Sequence, residues 1–394
     1  MIEELLNPAV QKFIQEHLQD DPVTLALQAA RFPEIPVALV AHQIKCFQKA
    51  KSKLPEFSAE PTIIYPPGVS LEQSSSEITA QYKANLMDGK SITDLTGGFG
   101  VDTYYFAKRF RQVYYVEQNL ALHPVVAHNF EQLGIKNVEL YLASAEEYLS
   151  NLTVTPDWHY LDPARRDGAN QRVYQITDCQ PDLTQLLPEL LERGAKVLVK
   201  LAPMLDIRQA LSQLDAVTEI HVISVDNECK EILFKIESGS EVEPKIFAVN
   251  LRGMVQDILS FMYSGEGDDC DYSMPQKYIY EPNASIMKTG AFKAVAQNYH
   301  LQKLHRNSHL YTSTILVNDF PGRVFELGAV TVMNKKKLKD YVPDNKANIT
   351  VRNYPNTVQE IRKKTSIKDG GSVYLLATTL MDGSPKVLVC SRLG

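Results

Sequence analysis

The chain has 394 residues, 44 % of them hydrophobic and 22 % charged, a composition that suits two or three globular domains and excludes a disordered or fibrous protein. Its net charge of -6 has the wrong sign for a protein that grips nucleic-acid phosphates over its whole surface. The average conceals a division: residues 320–394 hold 13 Lys and Arg against 6 Asp and Glu, a surplus of +7, so residues 1–319 carry -13.

Residues 1–90 are predicted to form a helical region. Ile2, Leu5, Leu6, Val10, Phe13, Ile14 and Leu18 recur at roughly helical spacing over residues 2–18, and Pro22 and Pro36 mark further helix starts. The run KCFQKAKSK before Leu54 reads as a solvated face or as a contact for an anionic partner. Ser75 or Ser76 can cap the helix of SSSEITAQYKANLM.

Residues 91–240 alternate short apolar strands with helices. Strands are predicted at 92–95, 113–116, 138–141, 158–161, 196–201 and 220–225, and a seventh at 231–236 should return as an antiparallel hairpin across DNECK. Helical crossovers between parallel strands give an α/β fold with both sheet faces covered. The expectation is a seven-stranded Rossmann-like sheet of the class I methyltransferase kind.

Residues 241–319 read as a connecting α+β region, with GEGDDCD at 265–271 an exposed acidic loop. Residues 320–394 should form a small α+β domain: strand 323–333, helix 334–340, strand 349–353, helix 357–364 and strands 373–378 and 387–390.

The five cysteines, Cys46, Cys179, Cys229, Cys270 and Cys390, are scattered and never form a CxxC pair, which suggests neither a disulfide framework nor a zinc site. MIEELLNPAV is acidic where a secretory leader is basic, and no apolar run reaches the ~18 residues of a membrane span. A reduced, cytoplasmic protein without metal or membrane is expected.

The segment ITDLTGGFGVDTYYFAKRF, 92–110, is a strand, a glycine-rich turn and a helix. Such a turn lets backbone approach a ligand at the C-terminal edge of a sheet, although a tight strand-to-helix turn needs glycines too. Glu117 closes the second strand and can accept hydrogen bonds from both hydroxyls of a ribose. The third glycine of GxGxxG is missing, since Gly98 and Gly100 are followed by Thr103, which lowers a dinucleotide reading. Asp94-x-Thr96-x-Gly98-x-Gly100 instead resembles the S-adenosylmethionine motif DxGxGxG with Thr96 in the first glycine's place. Ser144, after the third strand, can contact adenine or form a capping box with Glu147.

The fourth strand leads into Asp162-Pro163-Ala164-Arg165, where amino-methyltransferases carry [D/N]PP[Y/F/W]. A methyl sulfonium is already activated, so the enzyme must mainly align an amine lone pair with the methyl group. Asp162 is the best catalytic candidate, with Pro163 and Arg165 beside it. Asp-Pro is also a common strand-end turn. Arg165 stands where the base-stacking aromatic would be, leaving Tyr160 and Tyr174 as substitutes. Arg165, Arg166 and Arg172 place three cations in one loop, which suits an anionic substrate. Lys200 can point to the same sheet edge as a further substrate contact or snorkel as a strand-end lysine.

With these residues in place, the chain resembles the bacterial class I S-adenosylmethionine-dependent methyltransferases that carry a C-terminal THUMP-like domain. The resemblance runs through RFPEIPVALVAHQIKCFQKAKSKLPEF, LEQSSSEITAQYKA, DLTGGFGVDT, LDPARR, VLVKLAPMLDI and YEPNASIMKTGAF, nearly the full length. LEQSSSEITAQYKA also resembles the corresponding segment of cap trimethylguanosine synthases, whose targets are guanine amino groups. The family implies S-adenosylmethionine bound through Asp94, Gly98, Gly100 and Glu117, and methyl transfer near Asp162. THUMP domains bind RNA, so RNA is the implied partner. A small-molecule or protein methyltransferase, a non-catalytic RNA-binding protein with a vestigial pocket, and a nucleotide-dependent oxidoreductase are the alternatives.

Overall fold

The N-terminal region of the computed structural model, which describes residues 2–66, 71, 74–165, 176–240, 242–264 and 270–393, consists of short helices started by caps and prolines. The single helix expected over 2–18 is two, Ile2–Leu5 and Pro8–Glu16. Asn7 accepts a hydrogen bond from Ala9 N, and Pro8 has no amide to continue the first helix. Asp21 caps Pro22–Leu27 in the same way. Helix Val37–Lys53 buries Val37, Val40 and Ile44 among Leu5, Val10, Ile14 and Leu25, and Val125 joins this core. Ser76, rather than Ser75, caps Glu77–Asn85.

The chain divides into two compact units, Met1–Thr218 with Leu233–Glu241, and Glu219–Ile232 with Val242–Gly394. Its strands are β1 (Ser91–Asp94), β2 (Gln112–Glu117), β3 (Val138–Leu142), β4 (Trp158–Leu161), β5 (Ala164–Arg165), β6 (Cys179–Gln180), β7 (Lys196–Leu201), β8 (Val217–Val225), β9 (Glu228–Glu237), β10 (Lys245–Arg252) and β11 (Val255–Met262). The order is β11-β10-β8-β9-β7-β4-β1-β2-β3, with β5 and β6 a separate pair. Strands β3, β2, β1, β4 and β7 are mutually parallel, and helices such as Val101–Arg109, His123–Gln132 and Leu183–Glu192 connect them. The β8–β9 turn is Asp226-Asn227, both at positive φ (49° and 66°), as a two-residue hairpin demands. These seven strands are the expected Rossmann-like set. The sheet does not stop there: β10 runs parallel to β8 and β11 antiparallel to β10, so part of the region read as a connector extends the sheet to nine strands.

The remaining strands are β12 (Tyr278–Pro282), β13 (Gln302–Lys303), β14 (Tyr311–Ser313), β15 (Gly322–Thr331), β16 (Asn348–Arg352), β17 (Val373–Thr379) and β18 (Pro385–Leu393). They form one sheet, β13-β14-β12-β15-β18-β17-β16. Because β12 pairs with β15, Ile279 opposite Phe325, residues on both sides of position 320 belong to it. Helices Lys335–Lys339 and Val358–Thr365 bury Leu338 and Ile361 in one core with Ala347, Leu375, Ala377 and Val387. Of the acidic loop at 265–271, residues 265–269 lie outside the described residues.

Candidate functional site

The glycine-rich turn leaves β1 at Asp94 and enters helix Val101–Arg109 at Gly100. Gly98 and Gly100 adopt φ of 53° and 82°, a left-handed backbone that costs a side-chain-bearing residue about 1 kcal/mol or more. Gly97, outside the DxGxGxG spacing, is under the tightest constraint of the turn: a Cβ there would lie 2.1 Å from Cε2 of Tyr115. The signal was present as the Gly97-Gly98 doublet, but its partner is a ring on β2. Tyr115 in turn donates its hydroxyl to Gly98 O at 2.7 Å.

Thr96, the departure from DxGxGxG, has a structural role. Its Oγ1 accepts the Asp162 backbone N–H at 2.7 Å, tying the turn to the loop after β4. The Glu117 carboxylate accepts from Gly98 N at 2.9 Å and Asn119 N at 2.8 Å. Ser144 caps helix Ala145–Ser150 by accepting from Glu147 N at 3.1 Å; of the expected capping box this half is present.

Asp94, Thr96, Gly98, Gly100, Glu117, Ser144 and Asp162 all line one cleft of about 390 Å³, within the range of small-molecule sites. Its wall also includes Ser74, Ser75, Asp102, Leu122 and Gln180. Pro163 and Lys200 do not line it. Pro163 is buried behind the loop, and Lys200 instead holds the Asp162 carboxylate in a direct ion pair. Arg165 lies on β5 with its side chain outside the described residues, as are Arg166, Arg172 and Tyr174 altogether. Tyr160 is buried, its hydroxyl donating to Asp102 Oδ2 at 2.9 Å, and so is no stacking platform.

Behind Ser75 and Asp102 of the cleft wall lies a buried charge that the sequence did not reveal. Lys83 is fully buried. Its Nζ sits 3.0 Å from Asp102 Oδ1 and donates to Ser75 Oγ at 2.7 Å, while Ser75 donates to Asp102 Oδ2 at 2.8 Å. Burial pushes the Asp102 carboxyl up, but the neighbouring Lys83 and Lys200 outweigh it and hold it below the ordinary range. Asp94 goes the other way. Burial raises its carboxyl to about 7, with Asp102 and Asp162 adding repulsion against the hydrogen bonds from Thr103 and Thr96.

A second feature lies on the C-terminal sheet. Lys335, Lys336, Lys337 and Lys339 on one helix, and Lys363 and Lys364 on the other, are exposed above their common core. Lys335 Nζ donates to Ser366 Oγ at 2.9 Å, which links the two basic segments. Among the described residues no group of three or more His, Cys, Asp or Glu could hold a metal ion, and no helix is long and apolar enough to cross a membrane.

Residues 278–321 match a ferredoxin-like domain model and residues 322–392 a THUMP domain-like model. A candidate methyltransferase from Porphyromonas gingivalis W83 is 33 % identical, with 100 % of this chain and 98 % of that chain covered and a TM-score of 0.88. An rRNA methylase from Streptococcus thermophilus is 17 % identical, covering 41 % of this chain and 94 % of its own at a TM-score of 0.31. A candidate methyltransferase from Streptococcus mutans, in complex with SAH, is also 17 % identical, covering 41 % and 97 % at 0.30. No curated protein matches the chain.

Proposed function

The chain belongs to the bacterial class I methyltransferases that carry a C-terminal THUMP-like domain, and from that premise we propose that it moves a methyl group from S-adenosylmethionine to a base nitrogen of structured RNA. The observation that carries this reading is that the glycine turn, Glu117 and Asp162 line one cleft.

The donor groups suit the cofactor. A Cβ on Gly98 would have only Thr96 O within 4 Å, at 3.8 Å, so backbone is bare where a ligand would approach. Glu117 already accepts two backbone amides, and a carboxylate has roughly four acceptor positions, which leaves room for ribose hydroxyls. Ser144, Leu122, Asp94 and Thr96 line the same cleft; Ser144 and Leu122 would serve an adenine ring, and Asp94 and Thr96 the amino-acid portion. When bound, S-adenosylmethionine supplies a methyl group already activated on sulfur.

What remains for the protein is positioning. Lys200 fixes one oxygen of Asp162, and the Asp162 amide is held by Thr96, so the second carboxylate oxygen has a set direction. That oxygen accepts an N–H of the target amine and orients its lone pair. The acceptor nitrogen sheds one proton as it gains the methyl group, and the same oxygen is placed to take it. Lys200 therefore serves to position Asp162, in place of the substrate contact considered from the sequence. Pro163 shapes the loop backbone. Arg165, Arg166 and Arg172 are proposed to meet RNA phosphate or base, and the exposed lysines of 335–339 and 363–364 to hold structured RNA electrostatically.

Transfer of labelled methyl groups to total RNA tests the reading. RNA from a deletion strain should accept label and RNA from wild type, already modified, should not. Label entering neither RNA while a protein or small-molecule fraction is labelled would select the alternative substrate class. Calorimetry with S-adenosylmethionine and with NADH separates the cofactors, and binding of NADH alone would overturn the methyltransferase reading.

A further inference from the structure

In the C-terminal sheet one carboxylate is buried beneath two arginines. Glu281, on β12, has a side chain 1 % exposed, while Arg323 on β15 and Arg352 on β16 are 31 % and 34 % exposed. Arg323 Nε donates to Glu281 Oε2 at 2.8 Å and its Nη2 reaches the same oxygen; Arg352 donates to Oε1 through Nε at 3.1 Å and lies 2.9 Å from it through Nη2. Arg323 Nη2 also donates to Thr350 Oγ1 at 3.3 Å. Strands β12 and β16 are not neighbours in the sheet order, yet Arg352 and Glu281 meet.

The two guanidiniums are thus locked by their inner edges. Among the described residues nothing pairs with Nη1 of either one, and each arginine keeps about a third of its surface in solvent. A carboxylate that balances one of two cations leaves a net single positive charge with donors already oriented. A tetrahedral phosphate can use that arrangement, because the Nη1 hydrogens of both guanidiniums are left to donate and their fixed planes have little further side-chain freedom to lose. The surroundings are electropositive as well: His309 is kept neutral down to about 4, first by burial and then by the charges of Lys303 and Arg352.

We propose that Arg323 and Arg352, oriented by Glu281, form a fixed seat for a backbone phosphate of RNA, distinct from the diffuse lysine surface of the two helices. The RNA occupant rests on the functional reading above; the anion-binding chemistry does not. Arg323 and Arg352 are the binding residues and Glu281 is a positioning residue.

Two measurements on the full chain decide it. The first is fluorescence anisotropy of a labelled RNA hairpin over a salt series. Glu281→Gln removes a negative charge, so bulk electrostatics alone would tighten binding. The seat predicts instead a loss of about tenfold, because the forks are released. Arg323→Gln should weaken binding by about tenfold and lower the salt slope by about one, and Arg323→Lys should keep the slope while recovering only part of the affinity. Thermal unfolding checks each variant, and Arg352→Gln, on the edge strand, takes the place of Arg323→Gln if the latter does not fold. Unchanged or tighter RNA binding by Glu281→Gln overturns the seat. The second is calorimetry with pyrophosphate, which wild type should bind and Arg323→Gln should not. Pyrophosphate binding with no RNA binding by wild type would overturn the RNA occupant together with the RNA reading, and no pyrophosphate binding would overturn the seat itself.

Discussion

At the cleft, charged groups are buried or half-buried and held by their neighbours: Lys83 by Asp102 and Ser75, Lys200 by Asp162. On the helices of the C-terminal sheet, Lys363 and Lys364 stand in solvent. Burying a charge costs several kcal/mol and is offset only when geometry and hydrogen bonds are good, so such groups fix positions. Exposed lysines add little to stability, but their field reaches about 10 Å at 0.1 M salt and fades as salt rises. The first region should therefore answer to mutation through folding and turnover, the second through the salt dependence of binding.

The sharpest break of this contrast is Asp162→Ala, which should lower methyl transfer by at least about 100-fold while leaving S-adenosylmethionine affinity within a few-fold in calorimetry. Equal turnover by the variant would remove Asp162 from the mechanism. Next, Lys83→Met strands the Asp102 carboxylate, and urea unfolding should show a loss of about 3–5 kcal/mol. Pairing it with Asp102→Asn should restore much of that loss in a double-mutant cycle; simple additivity would mean that the two do not interact. Gly97→Ala drives a methyl into the Tyr115 ring, and a cost of about 1–3 kcal/mol is expected from urea unfolding, with weakened S-adenosylmethionine binding in calorimetry.

A pH effect follows from Asp94. Its carboxyl sits at about 7 in the folded protein, above the ordinary 3.8, so between these values the native state binds more protons than the unfolded one. Its contribution to stability is present at acid pH, falls as pH rises from about 4 to about 7, and then levels off. Asp94→Asn, compared with wild type without cofactor, should gain relative thermal stability at pH 8 over pH 5; parallel curves would contradict the assignment. The smallest effect belongs to the exposed lysines. Lys363→Gln with Lys364→Gln should leave unfolding within about 0.5 kcal/mol of wild type and lower the salt slope of RNA binding by about two. An unchanged slope would place the RNA contact elsewhere.

Much of the fold was legible because its signals are local. WHYL is a short, bulky run, buried throughout and bounded by Asp157 and Asp162, and Thr357 with Glu360 announces helix Val358–Thr365 through a capping box that is present. Strands β10 and β11 were not legible, because their place depends on pairing with β8 across the sheet. The same limit applied at the site. Asp94, Gly98, Gly100, Glu117 and Asp162 stood in recognisable motifs, and the Thr96 departure became intelligible only once its hydroxyl met the Asp162 amide 66 positions away. Nothing in SSSEITAQYKANLM marks Lys83 as buried. Its partner Asp102 belongs to a different helix, and a buried ion pair between helices leaves no periodicity to detect.

Nucleoside mass spectrometry of total RNA tests most directly whether the cleft methylates RNA. One methylated nucleoside should be lost in a deletion strain, restored by the wild-type gene and not restored by Asp162→Ala. Identical nucleoside profiles in all three strains would contradict the account.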